Sequence, residues 1–149
     1  MTDHEHHMSL ALSLAREAYA CGEVPVGAIV VGPDGKVLGQ GRNRRQETGD
    51  ATAHAEVEAI REACKALGDW RLEDCTLFVT LEPCPMCAGA IINARIPTVV
   101  FGAREELSGS CGSVIDLFYE RYGHRPRVFA GVLEEDSSSL LRDFFREKR

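Results

Sequence analysis

The sequence has little aromatic content, no long apolar segment and no excess of positive charge. Aromatic residues make up 7% of the 149 residues, and the formal net charge is −6. No hydrophobic run approaches the roughly 20 residues that cross a bilayer, so we expect no membrane partner. A negative net charge opposes non-specific attraction to nucleic acid, so a nucleic-acid partner would require a local basic patch.

The N-terminus also lacks the basic and apolar regions of a secretory signal. Residues 1–7 read MTDHEHH, which is polar and partly acidic. We therefore expect a cytoplasmic protein, and we expect residues 1–7 to be disordered, as chain termini often are. Six cysteines are present, but a chain of this size and location is not expected to use disulfides.

Alternating helix and strand patterns predict a single α/β domain over residues 1–149. Segments with helical periodicity or a short apolar helix pattern are 8–20, 54–67, 84–94 and 134–149. Segments typical of strands are 26–31, 36–40, 76–81, 98–102 and 127–132. The continuous apolar run at 26–31 predicts a strand buried on both faces. This alternation predicts a largely parallel sheet between layers of helices, with an antiparallel hairpin at one end.

Two short motifs contain residues that commonly bind metals: TAHAE at 52–56 and PCPMC at 83–87. Cys84 and Cys87 are three residues apart, so one helical turn places both sulfurs on the same side. A position at a helix N-terminus would also favour their thiolate forms. With His54 they offer three soft ligands, which suit zinc and leave a fourth coordination position open, as in catalytic sites.

Glu56 can share this site only under one local condition. Residues two apart in mid-helix point about 200° away from each other. His54 must therefore lie at or beside the N-cap of its helix, where Thr52 and Asp50 are suitable capping residues. The alternative is that the two thiols and the imidazole are ordinary buried side chains.

The combination of His54-x-Glu56 with Pro83-Cys84-x-x-Cys87 resembles the zinc-dependent cytidine/deoxycytidylate deaminase superfamily. More narrowly, the chain resembles bacterial tRNA-specific adenosine deaminases of the TadA type. The segments that support this likeness are EVPVGA at 23–28, TAHAE at 52–56, VTLEPC at 79–84, MCAGA at 86–90, FGAR at 101–104 and DFF at 143–145. The resemblance implies a three-layer α-β-α cytidine-deaminase-like fold with a mixed five-stranded sheet and helices on both faces.

The resemblance also implies a role for each matching residue. His54, Cys84 and Cys87 would hold one Zn²⁺ per chain, and Glu56 would shuttle protons while zinc-bound hydroxide attacks C6 of adenine. Asn43 stands at the position of a base-reading asparagine. The Ala55 backbone and the Val24-Pro25 segment would help to line the pocket.

The nucleic-acid expectation depends on basic residues near Asn43. Arg44 and Arg45, together with Arg42, flank this residue, and their clustering favours phosphate contacts, although solvated surface charges are the alternative. Further cations, Arg142, Arg146, Lys148 and Arg149, lie in the last helix. In contrast, the segment Glu105-Glu106-Leu107-Ser108 is acidic where the family commonly has a lysine, and it weakens the inference of RNA binding.

Three functional hypotheses follow. The leading one is deamination of the wobble adenosine in a tRNA anticodon loop by a homodimer. The second is a free-base or nucleoside deaminase acting on guanine or cytosine, because segments 63–68 and 83–87 also resemble guanine deaminases. The third is a non-catalytic, zinc-stabilised RNA-binding protein, against which the presence of Glu56 argues.

Overall fold

A mixed sheet of five strands forms the centre of the computed structural model, which describes residues 1–148. The strands are β1 (Gly27–Val31), β2 (Val37–Arg42), β3 (Thr76–Leu81), β4 (Thr98–Ala103) and β5 (Arg127–Phe129), in the spatial order β2-β1-β3-β4-β5. The helices are α1 (Asp3–Ala20), α2 (Arg45–Thr48), α3 (Ala55–Leu67), α4 (Pro85–Asn93) and α5 (Glu134–Glu147). One turn of 3-10 helix forms at Leu117–Tyr119.

The sheet is evenly mixed rather than largely parallel. β1 pairs antiparallel with both β2 and β3, whereas the β3–β4 and β4–β5 pairs are parallel. The five-stranded mixed sheet is therefore confirmed, including its terminal hairpin. The prediction of a largely parallel sheet, made from strand–helix alternation, is wrong. β1 lies between its hairpin partner β2 and β3, the strand that follows α3, and it is antiparallel to both.

Helices cover both faces of the sheet, and β1 shows how the two layers arise. Ala28 and Val30 pack in the cluster that includes residues of α3 and α4. Ile29 and Val31 pack in the cluster with Met8 of α1. Because successive strand residues point to opposite faces, a continuous apolar run is required for a strand covered on both sides. The predicted two-sided burial of this strand is confirmed.

Residues 3–7 form the start of α1, so the expected disorder of residues 1–7 is wrong. Thr2 caps α1: its Oγ1 accepts from the Glu5 amide at 3.1 Å, and the Glu5 carboxylate accepts from the Thr2 amide at 3.0 Å. The His4 ring packs edge-on against Phe78 and Phe129, with ring centroids 5.6 and 5.5 Å away. A capping box and aromatic contacts therefore hold this terminus. No helix within residues 1–148 is both long and apolar enough to cross a membrane.

Two glycines of β2 allow α3 to approach the sheet closely. A Cβ atom added at Gly39 would lie 2.2 Å from the Ala59 carbonyl oxygen, and one at Gly41 would lie 2.4 Å from that of Ala55. Real Cβ atoms do not approach backbone atoms so closely, so any side chain here would force α3 outward. Because α3 begins beside His54, these glycines also determine where the N-terminus of α3 lies.

We therefore expect Gly39→Ala to lower the free energy of unfolding by at least about 1 to 3 kcal/mol, the usual cost of overpacking. Chemical denaturation followed by circular dichroism measures the change. Gly89→Ala is the matched control: it lies in α4 with no atom within 4 Å of the added Cβ, so it should be neutral or stabilising by up to about 1 kcal/mol. Equal stability of Gly39→Ala and the original protein would contradict the close packing.

Candidate active site

The N-termini of α3 and α4 meet beside the carboxyl end of β3. His54 is the N-cap of α3 and has an extended backbone, with φ −88° and ψ 152°. Cys84 is the N-cap of α4, with Pro85 at the first helical position, and Cys87 lies in the first turn. The predicted placement of His54 at the start of its helix is confirmed, and this placement allows His54 and Glu56 to face one site.

The predicted capping of α3 by Thr52 or Asp50 is wrong. His54 itself occupies the N-cap position, without a hydrogen bond from its side chain to the helix. The Asp50 carboxylate instead accepts hydrogen bonds from the Thr52 amide and hydroxyl, at 2.8 Å each. These bonds shape the turn that leads into α3.

The three expected ligand atoms lie together. His54 Nδ1 is 3.7 Å from Cys84 Sγ and 3.4 Å from Cys87 Sγ. One donor atom from each residue lies within 4.8 Å of the others. An imidazole nitrogen and two sulfurs at this spacing fit a zinc ion, which prefers nitrogen and sulfur ligands in tetrahedral geometry.

The protonation of this cluster follows from hydrogen bonding and burial. A hydrogen bond from the Cys87 thiol lowers the pKa of Cys84 to about 4 and raises the pKa of Cys87 itself. The interaction with Cys84 raises the pKa of His54. Burial raises the pKa of Glu56 to about 7. The three residues therefore share protons that a bound cation would displace.

A cavity of about 210 Å³ opens onto Glu56 and the cluster. Four of the predicted substrate residues line it: Val24, Asn43, Arg45 and Ala55. Pro25 and Arg44 are not part of its lining. Six residues that were not predicted to contact substrate complete it: Val26, Leu81, Glu82, Glu105, Ser108 and Phe145. The DFF motif had marked the segment of Phe145, but no periodicity indicated that α5 would reach the site.

The Asn43 side chain is buried and oriented by its neighbours. Its Oδ1 accepts from the Arg45 amide at 3.2 Å, and its Nδ2 makes a longer contact, 3.5 Å, to the Val24 carbonyl oxygen. These two contacts hold the amide plane in one orientation at the cavity wall. An amide fixed in this way can present a donor and an acceptor to a planar ligand.

Two of the three arginines around Asn43 form ion pairs with nearby glutamates. Arg42 is buried and pairs with Glu47 at 3.1 Å. Arg44 pairs with Glu47 at 2.8 Å and with Glu58 at 3.0 Å. Arg45 is exposed, lines the cavity and makes no ion pair within residues 1–148.

A mixed sheet with one imidazole, two thiols and a buried carboxylate at two helix N-termini defines the class of zinc-dependent nucleobase deaminases. Residues 2–149 match the family of MafB19-like deaminases. The tRNA-specific adenosine deaminase of Bacillus subtilis is 47% identical over all of this chain and 92% of its own length. The chain therefore belongs to the MafB19-like deaminases and to the family of the bacterial tRNA-specific adenosine deaminases.

Other comparisons define the range of similar proteins. A solved structure from work on A-to-I editing by tRNA deaminases at the wobble position is 45% identical, with a TM-score of 0.87 over 91% of this chain and 99% of that one. Guanine deaminase from Bacillus subtilis is 36% identical, with a TM-score of 0.67 over 98% and 95% of the two chains. A tRNA(Ile)-lysidine synthase of Deinococcus radiodurans is 50% identical over 95% of this chain, which spans only 24% of that protein.

Proposed function

We propose that this chain catalyses the hydrolytic deamination of adenosine to inosine at the wobble position of a tRNA anticodon loop. The observation that carries the proposal is the buried Glu56 beside the His54–Cys84–Cys87 cluster, in a cavity that also contains Asn43. The comparisons support this choice of substrate. The structure from work on wobble-position deaminases has both a higher identity to this chain and a higher TM-score than the guanine deaminase of Bacillus subtilis.

We propose that His54, Cys84 and Cys87 hold one Zn²⁺ per chain. Their donor atoms are of the right type and lie close enough together. When bound, zinc would lower the pKa of a water molecule and so supply a nucleophile near neutral pH.

Glu56 is the proposed proton carrier. Its carboxylate would take a proton from the attacking water and deliver it to N1 of adenine as the C6–O bond forms. It would then pass the second water proton to the 6-amino group, so that the C6–N bond breaks and ammonia leaves. Water and adenosine are thereby converted into inosine and ammonia. Burial raises the pKa of Glu56, and a raised pKa favours a group that must accept and donate a proton in one cycle.

The remaining cavity residues are proposed to recognise the base. The oriented Asn43 amide would hydrogen-bond to the purine edge, and the Ala55 backbone N–H lies in the first turn of α3, where amides lack helical partners. Val24, Leu81 and Phe145 supply apolar surface for the base faces. Pro25 adjoins this wall in sequence and would act by holding Val24 in place.

Contact with the rest of the anticodon loop is proposed to depend first on Arg45, which lines the cavity, and then on Arg44, whose ion pairs with two glutamates are partly exposed and can exchange for phosphate. In α5, Arg142 pairs with Glu135 and Arg146 with Asp143, both on the exposed surface, where such pairs are weak and can exchange for phosphate. Arg149, the last cation of the predicted terminal cluster, lies outside the described residues.

We further propose a homodimer of single-domain chains that acts in the cytoplasm, where tRNA is available. Exposed apolar side chains support an interface: Leu107, Val114 and Ile115 are 90%, 54% and 47% exposed and lie on one loop after β4. Light scattering of the purified chain should give twice the mass of 16.3 kDa. A monomer at micromolar concentration would refute this assembly.

The substrate is tested by incubating zinc-loaded protein with an anticodon stem-loop that carries adenosine at the wobble position. Nucleoside mass spectrometry should detect inosine, and the same stem-loop with cytidine at that position should remain unchanged. Free guanine, cytosine and adenosine should release little or no ammonia. Turnover of guanine without any inosine in RNA would instead identify a free-base deaminase and overturn the proposal.

A further inference from the structure

A second buried carboxylate lies beside the cluster. Glu82, which directly follows β3, is 2% exposed. Its Oε1 accepts from the Glu105 amide at 3.1 Å and from the Ser113 hydroxyl. Its Oε2 accepts from the amides of Cys111 and Ser113, at 3.0 and 3.1 Å. These four hydrogen bonds use the full acceptor capacity of a carboxylate, so none remains for a substrate.

All four donors belong to one loop, residues 105–113, which wraps closely around this carboxylate. A Cβ atom at Gly109 would lie only 2.5 Å from Glu82 Cδ, and the Ser110 amide donates to the Pro83 carbonyl oxygen at 2.8 Å. Two members of the loop, Glu105 and Ser108, line the cavity. The loop therefore forms one cavity wall, and Glu82 is its main polar attachment to the sheet.

A second part of the cavity wall has a similar attachment. Glu23 is 1% exposed, and its two carboxylate oxygens accept from the amides of Gln46 and Glu47, at 3.1 and 2.6 Å. These amides directly follow residues 43–45, a segment whose Asn43 and Arg45 line the cavity. Burying a carboxylate is costly unless charge-assisted hydrogen bonds compensate, so each glutamate stabilises one particular arrangement of the loop around it.

We propose that Glu23 and Glu82 are positioning residues, each of which holds one wall of the substrate cavity against the sheet. Glu23 fixes the segment of Asn43 and Arg45, and Glu82 fixes the segment of Glu105 and Ser108. Neither residue transfers a proton or holds the metal. The kinetic part of this inference rests on the proposed function, whereas its structural part does not.

The variants Glu82→Gln and Glu23→Gln test the inference with little change of shape. Each replaces one acceptor oxygen by an NH₂ group, which then faces a backbone N–H donor in either orientation of the amide. Hydrogen exchange should accelerate at least about tenfold at residues 105, 111 and 113 in Glu82→Gln, and at 46 and 47 in Glu23→Gln. Each variant serves as the control for the other, because the amides bound by the unchanged glutamate should remain protected from hydrogen exchange.

Zinc content and steady-state kinetics on the anticodon stem-loop separate positioning from other roles. We expect full zinc content, a KM raised at least about tenfold and a kcat changed less than about threefold, since Glu56 and the metal ligands stay in place. The surface variant Glu120→Gln should leave all these quantities unchanged. If the stem-loop proves not to be the substrate, hydrogen exchange still decides the structural part.

Three results would overturn the inference. Unchanged exchange at the named amides would show that the carboxylates do not hold the walls. Loss of zinc in Glu82→Gln would assign that residue to support of the ligands, and a fall in kcat at constant KM would assign it to the chemical step. Should Glu82→Gln fail to fold, Ser113→Ala removes one of the four bonds and should give a smaller change with the same pattern.

Discussion

Replacing Glu56 with glutamine is expected to lower kcat/KM about 100- to 10,000-fold, the usual contribution of a general acid–base group. Glutamine has nearly the same shape but cannot accept and release a proton in this pH range. Because Glu56 is not among the three clustered ligand residues, zinc content should remain near one ion per chain. The melting temperature should not fall, because the substitution removes a buried ionisable group without creating a cavity.

Glu58→Gln is the matched control for this experiment. Glu58 lies two residues further along α3 and pairs with Arg44 outside the cavity. An ion pair with this exposure contributes at most about 1 kcal/mol, so activity should stay within a few-fold of the original protein. Comparable activity of Glu56→Gln and Glu58→Gln would refute the proton-carrier role of Glu56. Activity lost together with zinc would instead show that Glu56 acts on the metal.

Replacing Cys87 with alanine is expected to abolish both zinc binding and deamination. Cys87 is fully buried and is one of the three proposed zinc ligands. Loss of a residue that only hydrogen-bonds to a metal ligand commonly weakens metal affinity about 10- to 100-fold. Loss of a direct ligand should therefore weaken zinc affinity more than about 100-fold. Metal analysis after dialysis should find less than stoichiometric zinc, and added zinc should no longer raise the melting temperature, as it should for the original protein.

Cys64→Ala provides the matched cysteine control. Cys64 is a free cysteine in the last turns of α3, where its sulfur contacts the Trp70 carbonyl oxygen at 3.7 Å. This variant should retain zinc and activity. Stoichiometric zinc in Cys87→Ala would show that the cluster is not the metal site and would remove the basis for the proposed mechanism.

The spacing of His54 and Glu56 shows which features of the site could be predicted from neighbouring residues alone. Helical geometry forbids two residues at this spacing from sharing a face in mid-helix, so the sequence required a helix that starts at His54. The structure meets this requirement, with His54 in an extended conformation and α3 beginning at Ala55. The same reasoning placed Cys84 and Pro85 at the start of α4. These features depend on a few neighbouring residues and could therefore be predicted.

The arginines near Asn43 show where such reasoning fails. In the sequence they form a basic cluster, but their partners include Glu58, which is 14 residues from Arg44 along the chain. The charge that remains available to a ligand depends on which side chains the fold brings together. The prediction of a disordered N-terminus was wrong for a similar reason. His4 packs against Phe78 and Phe129, which are distant in sequence.

The sequence by itself determined the candidates for the chemistry of this protein: three soft candidate ligands, a nearby carboxylate and the helix starts that bring them to one side. Local spacing and ligand type were sufficient for these conclusions. Only the tertiary structure showed which residues form the walls of the cavity. Phe145 of the last helix lines it, and Glu82 accepts a hydrogen bond from a loop residue that is more than 20 positions further along the chain. Such contacts follow from the packing of whole elements, which no local pattern encodes.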